Sequence, residues 1–245
     1  MPGFIVLSDI HANLSALQGC LEDSLHRYEP DGIVILGDII NYGMRPNEVI
    51  QVISNLDRPI VANLWGNHEK ALFDGETGRF STERGKEILN YTRKILSPES
   101  LVYLEKNLSH FGLEVMTAGD RKILFVHGSA SDPFWGKMND KEMSAERYAE
   151  YDFVISGHSH IPNLTEIYYP DENRPEFRNN KRTIFLNPGS VGQPRNHNPK
   201  AQYLFIDTES ETFHFNAVGY DVEYERSLFP ECIDPFYKTR LTRGI

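Results

Sequence analysis

Five short apolar runs in this chain each end in aspartate, asparagine or histidine, usually beside a glycine. Phe4-Ile5-Val6-Leu7-Ser8 leads into Asp9-Ile10-His11, and Gly32 to Gly37 leads into Asp38. Ile60 to Gly66 leads into Asn67-His68-Glu69, Lys122 to Val126 into His127-Gly128, and Phe153 to Gly157 into His158-Ser159-His160. Apolar runs bounded by turn residues predict buried strands. In open α/β sheets, sites form in the crevice beyond the carboxyl ends of the strands, where residues from neighbouring strands converge. Each block alone reads as a turn or a cap; the recurrence of all five at strand ends points to one polar site.

Helical periodicity separates the early strands. Leu14, Leu17, Leu21, Leu25 and Tyr28 recur at helical spacing behind Asn13, a capping residue, and Pro46 opens a second helix through Leu56. Strand, helix, strand, helix, strand predicts an α/β fold with a partly parallel sheet. Lys70 to His110 is polar and reads as a helical insertion or cap (70–110) on one domain spanning 1–245, with Ser97-Pro98 as a helix start. Strands are expected near Leu113–Thr117 and Lys122–Val126, a helix over Lys141–Glu150, and then strands at Phe153–Ile155, Leu164–Tyr169, Thr183–Leu186, Gln202–Asp207 and Thr212–Val218. Two mixed sheets packed face to face and flanked by helices accommodate that order.

Composition narrows the function. The 245 residues carry 25 Lys+Arg against 35 Asp+Glu, a formal charge of −10, which disfavours stable nucleic-acid binding through many phosphate contacts. No apolar run reaches the roughly 20 residues that span a bilayer, and the N-terminus lacks the basic and small-residue marks of a signal peptide. Two cysteines, Cys20 and Cys232, cannot build a disulfide framework or a thiolate zinc cage. The expected setting is the cytoplasm, without membrane association.

The candidate ligands are Asp9, His11, Asp38, Asn67, His127, His158 and His160. Nitrogen and oxygen donors without thiolate suit manganese, iron or zinc. Seven exceed what one tetrahedral zinc takes and match two ions about 3.5–4 Å apart that share a carboxylate. Asp9 and His11, like His158 and His160, are two residues apart, and in extended backbone such pairs point the same way. His26, His110 and His214 lack this setting.

These blocks resemble, in the same order, the five motifs of the calcineurin-like metallophosphoesterase superfamily: Asp9-Ile10-His11, Gly37-Asp38, Gly66-Asn67-His68-Glu69, His127-Gly128 and Gly157-His158-Ser159-His160. Linking stretches, among them Asn41-Tyr42-Gly43, Pro46-Asn47-Glu48 and Asn187 to Arg195, are similar to a subgroup of small bacterial and archaeal phosphodiesterases that includes diadenosine-tetraphosphatase-like proteins. The resemblance implies a four-layer α/β/β/α sandwich. It implies Asp9, His11 and His160 on one metal, Asn67, His127 and His158 on the other, Asp38 between them, and His68 as a non-ligand catalytic histidine. Where the serine/threonine phosphatases of this superfamily carry Asp-Arg-Gly, this chain has Asn41-Tyr42-Gly43, which argues against a phosphoprotein substrate.

The expected activity is hydrolysis of a small phosphodiester or nucleotide. Two divalent ions, manganese first, with iron, zinc or nickel as alternatives, would hold the phosphate and lower the pKa of a bridging water so that hydroxide attacks phosphorus. His68, held by Glu69 or a backbone group, would protonate the leaving oxygen or stabilise its charge. Asn41, Tyr42 and Arg195 are the expected substrate contacts. Arg79, Arg84, Lys86, Arg93 and Lys94, with Phe73, Phe80 and Tyr91, are offered by the insertion, either to the substrate or to solvent and core. A phosphomonoesterase or protein phosphatase, or a non-catalytic scaffold on the same fold, is the competing reading.

Overall fold

The computed structural model describes residues 3–75, 77–80 and 82–245. The first half runs β1 (Gly3–Leu7), α1 (Leu14–Arg27), β2 (Gly32–Ile35), α2 (Pro46–Ser54), β3 (Ile60–Asn63), α3 (Asn67–Asp74), α4 (Glu83–Ile95) and α5 (Pro98–Lys106). Next come β4 (Leu113–Ala118), β5 (Arg121–Val126), α6 (Asp140–Met143), β6 (Phe153–Ser156), β7 (Asn163–Pro170), β8 (Asn180–Asn187), β9 (Ala201–Asp207), β10 (Thr212–Val218), α7 (Val222–Ser227) and α8 (Pro235–Arg243). None of the described helices is long and apolar enough to cross a membrane.

Two mixed five-stranded sheets result, ordered β10-β9-β1-β2-β3 and β4-β5-β6-β8-β7. The pairs β1·β2, β2·β3, β5·β6 and β6·β8 are parallel; antiparallel strands close both edges of the second sheet and the β9–β10 side of the first, whose other edge is the parallel strand β3. The central strands carry near-continuous apolar runs, Phe4–Leu7, Ile33–Ile35, Phe153–Ile155 and Ile184–Leu186, because both faces are covered. Side chains alternate across each strand. Phe4 and Val6 of β1 therefore enter the layer between the sheets, with Val34, Leu36, Phe125, Ile155, Ile184 and Leu204. Ile5 and Leu7 face the helices, packing with Leu17, Ile50, Leu89 and Leu104. The far face of the second sheet buries Leu124, Val154 and Phe185 against Met143 and Tyr148.

Local signals act as expected at several helix starts. Asn13 accepts the Ala16 N–H, Pro46 sits in the first turn of α2, and Ser97 caps α5 by accepting from Ser100 N. The helix expected over Lys141–Glu150 is broken. α6 ends at Met143, Ala145 is extended, and a 3₁₀ turn follows at Glu146–Tyr148. The break lets the Tyr148 ring bury completely while its hydroxyl meets Glu142 and Ala130 N. The third strand also stops early, at Asn63; beyond it Leu64 N donates to Ile35 O at 2.9 Å and Leu64 forms an isolated bridge to Ser109.

The described part of Lys70–His110 carries the end of α3 together with α4 and α5, and it packs on the body of the fold. Leu89, Leu96, Leu104 and Leu108 belong to the main core. Helices α7 and α8 go beyond the sequence reading, although Asp234-Pro235 is a helix-start signal: Asp234 accepts from Phe236 N and Pro235 takes the first turn. Phe229, Ile233, Tyr237 and Leu241 build a satellite core with Ile88, against Tyr42 and Met44.

Candidate metal centre

The five motif blocks meet at one end of the sheets. The backbone there differs from the extended pairs expected from residue spacing. Asp9, His11, Asp38, His158 and His160 all have positive φ, between 49° and 63°. Such conformations cost of order 1–3 kcal/mol each and persist where the surroundings impose them. The exits of β1 and β2 run side by side, with Asp9 N donating to Gly37 O (3.1 Å), His11 N to Asp38 O (2.9 Å) and Ala12 N to Ile39 O (2.8 Å). Ser190 Oγ donates to Asp9 O (2.8 Å), tying the β8–β9 loop to the same turn. Asn67 comes from the first turn of α3 rather than from a strand end. It can approach because residue 66 is glycine: a Cβ there would lie 2.1 Å from Asp38 Oδ1.

Two groups of donors share one carboxylate. Ligand atoms of Asp9, His11, Asp38 and His160 lie within 4.8 Å of one another, as do those of Asp38, His127 and His158. Asn67 Oδ1 joins the second group, 3.0 Å from His127 Nε2 and 2.9 Å from His158 Nδ1. Around Asp38 Oδ2 stand His127 Nε2 at 3.4 Å, His68 Nε2 at 3.7 Å and His11 Nε2 at 3.8 Å. All seven expected ligands are thus brought together.

The donor chemistry fits cations. His11 Nδ1 faces Ile40 O (3.1 Å), His160 Nδ1 faces Gln193 O (2.6 Å) and His127 Nδ1 faces Leu36 O (2.8 Å). A carbonyl can only accept, so each Nδ1 carries the proton and each Nε2 presents a lone pair inward, the arrangement of metal-ligating histidines. His11 Nε2 and His160 Nε2 then oppose two lone pairs across 3.3 Å. Asp9 Oδ1 is buried and takes no hydrogen bond from the described residues, although His160 Nε2 lies 3.1 Å away. Facing acceptors without protons between them are repulsive unless a cation intervenes.

Electrostatics agrees. Burial, reinforced by the competing imidazoles of His160 and His68, pushes His11 well below the ordinary histidine range; burial likewise lowers His127. His158 is pushed down to about 3 and His160 to about 4, again chiefly by burial. Neutral imidazoles are the ligating form. Burial raises Asp38, and the negative charges of Glu69 and Asp9 raise it further. Burial would raise Asp9 too, but His160, His127 and His11 together hold its carboxyl well below the usual range.

Two expected roles are corrected. Glu69 does not hold His68: fully buried, it accepts from Gly66 N, Asp38 N, Ile39 N and Ile40 N at 2.9–3.1 Å and so fixes the exit of β2. Asn41, expected as a substrate contact, is instead placed behind His68. It is completely buried, its Nδ2 lies 2.6 Å from His68 Nδ1, and Thr92 Oγ1 donates to its Oδ1 at 3.1 Å. This orientation of the amide leaves the His68 proton on Nε2, facing the cluster.

Tyr42 and Arg195 do line a cavity of about 350 Å³ with Asp38, Asn67, His68, His158 and His160. Tyr42 also packs against His11, tilted, and against His68, edge to face, with ring centroids 4.5 and 4.6 Å apart. Of the insertion residues, Arg79 and Phe80 reach this cavity. Arg84 lies over the Phe236 ring, Lys86 pairs with Glu83, Arg93 donates to Leu72 O, Phe73 stacks on Trp65, and Tyr91 packs against the α7–α8 core. Trp135 and Lys137 complete the rim and escaped the sequence reading, since an irregular loop carries no periodicity to mark them.

The calcineurin-like phosphoesterase superfamily domain matches residues 3–211. An uncharacterized protein of Methanocaldococcus jannaschii is 30% identical over 225 residues, covering 90% of each chain. A metallophosphoesterase from Sphaerobacter thermophilus superposes with a TM-score of 0.75 at 28% identity, over 100% of this chain and 99% of the other. A hypothetical protein from Pyrococcus horikoshii has the same fold, with a TM-score of 0.79 at 24% identity and the same coverage. The chain belongs to the calcineurin-like phosphoesterase superfamily, a group of hydrolases, as its motif order implied.

Proposed function

We propose that the protein is a dinuclear-metal phosphodiesterase acting on small phosphodiester or nucleotide substrates. The observation that carries this reading is Asp38, a single carboxylate common to two converging ligand groups. Asp9, His11 and His160 would hold one ion and Asn67, His127 and His158 the other, with manganese the expected metal. When bound, the ions supply the positive charge that holds a phosphate and lowers the pKa of water.

The chain's own groups complete the site. His68 Nε2, oriented through Asn41, carries a proton toward the cavity. Hydrolysis adds one water across the scissile P–O bond: the hydroxyl joins phosphorus and the water's proton ends on the departing oxygen, to which the His68 Nε2–H is placed to donate a hydrogen bond. Tyr42 forms an aromatic wall, and Arg195 adds positive charge facing the phosphate. Glu69 and Ser190 keep the two loops in register and touch no substrate.

The test is elemental analysis after reconstitution with manganese, followed by bis-p-nitrophenyl phosphate, p-nitrophenyl phosphate, cyclic nucleotides and dinucleoside polyphosphates as substrates. Two metals per chain and a preference for diesters are expected. A folded, metal-loaded protein that cleaves none of them is a scaffold, and the proposal is then wrong.

A further inference from the structure

A second cavity, of about 390 Å³, adjoins the one over the cluster. The two share Lys137, His158 and Arg195. Both volumes lie within the roughly 300–1,000 Å³ of small-molecule sites. Their linings differ. The first holds the donors and an aromatic rim; the second has apolar walls from Met138, Ile161 and Phe185, with the amides of Asn139 and Asn163 among them. No described residue lining the second cavity is acidic.

The junction is cationic. Neither Lys137 nor Arg195 forms an ion pair with a carboxylate of the described residues. Arg195 Nε is buried without a partner, while its Nη2 donates to Gln193 Oε1 at 3.3 Å. In a chain of net charge −10, two cations free of carboxylates between two cavities mark where negative charge is to lie. Apolar walls with a few amides suit an uncharged ring system such as a nucleoside.

We propose that this second chamber, beside His158, receives an organic arm of a phosphodiester whose phosphate lies over the His/Asp cluster, with Lys137 and Arg195 facing the charged link. This rests on the hydrolase reading above and deepens it: the substrate is a diester with a bulky retained arm, and the chamber selects that arm.

Two diesters with the same leaving group isolate the arm: thymidine 5′-(p-nitrophenyl phosphate) and methyl p-nitrophenyl phosphate. In the manganese-loaded enzyme the thymidyl ester is expected to have the higher kcat/KM by about tenfold or more, the scale of discrimination by apolar contacts. Ile161→Glu puts a charge in the chamber and Met138→Trp fills it. In each, with an unchanged melting curve, the thymidyl-to-methyl ratio of kcat/KM is expected to fall about tenfold, mainly through KM. Equal kcat/KM for the two esters in the parent enzyme, or an unchanged ratio in both variants, overturns the chamber while leaving the hydrolase reading intact. No hydrolysis of either ester by the loaded enzyme overturns both.

Discussion

Asn41 Nδ2 lies 2.6 Å from His68 Nδ1, and Thr92, a residue of α4, holds the other end of the same amide. A helix of the 70–110 segment thus reaches the candidate catalytic histidine through a buried intermediary. Thr92→Val keeps the shape and removes the hydroxyl. It is expected to lower kcat roughly tenfold, at the lower end of what outer-shell partners contribute, with metal content unchanged and Thr92→Ser restoring the rate. In a His68→Ala background Thr92→Val should have no further effect; additive losses would assign Thr92 a purely structural part.

His68→Asn should leave two metals bound and lower kcat by ~10²–10⁴, the usual contribution of a general acid. Its Nε2 stands 3.7 Å from Asp38 Oδ2, yet it lies outside both ligand groups. Elemental analysis beside steady-state kinetics on bis-p-nitrophenyl phosphate checks this. Metal loss in step with rate loss would make His68 a ligand.

Asp38 belongs to both groups, so Asp38→Ala is expected to abolish binding at both sites rather than one. A ligand that binds only the folded state at 100 times its Kd stabilises it by ~2.7 kcal/mol. Manganese should therefore raise the melting temperature of the parent protein and a chelator should reverse the rise, whereas Asp38→Ala should show neither shift. Calorimetry with and without metal decides.

Gly192 packs against the first motif. A Cβ there would lie 1.8 Å from Ile10 O, between the backbone positions of Asp9 and His11. Gly192→Ala must displace that turn, at a cost of ~1–3 kcal/mol for overpacking, and should weaken metal binding as well. Gly78, where an added methyl group would meet nothing within 4 Å among the described residues, is the matched control and should tolerate alanine. Urea denaturation of the two variants measures the contrast.

Tyr237 of α8 is buried and stacks on Tyr42, with ring centroids 5.3 Å apart. Tyr237→Ala is expected to destabilise the fold by ~3–5 kcal/mol, as for other large aromatic truncations. Because Tyr42 in turn packs on His11 and His68, kcat should fall too, in the fraction that remains folded. Denaturation curves and kinetics below the transition separate the two effects.

Much of the metal centre was legible because its residues sit at the ends of apolar runs, and such runs are local patterns. Phe4–Leu7, Ile33–Ile35 and Phe153–Ile155 had to be buried strands, since burial on both faces favours an unbroken apolar run. Asp9, Asp38, His127, His158 and His160 then had nowhere to project but the sheet ends. The two-sheet fold and the seven clustered donors follow from that order. The left-handed turns at Asp9, His11, His158 and His160 were hidden, because residue spacing carries no sign of φ.

Contacts across long sequence separations were decided by the tertiary structure alone. Asn41 and Glu69 are both polar residues near the site, and nothing local distinguishes a substrate contact from a buried brace; only the placement of Thr92 and of four backbone N–H groups does. Trp135 and Lys137 come from an irregular loop, and Tyr237 from a helix 195 residues beyond Tyr42, so their meeting at the cluster depends on how the layers stack. Periodicity and burial act locally, so the strands and the ligand types can be read from the order of residues. Which polar groups face one another, and what surrounds them, was decided by packing between the layers, which no local pattern encodes.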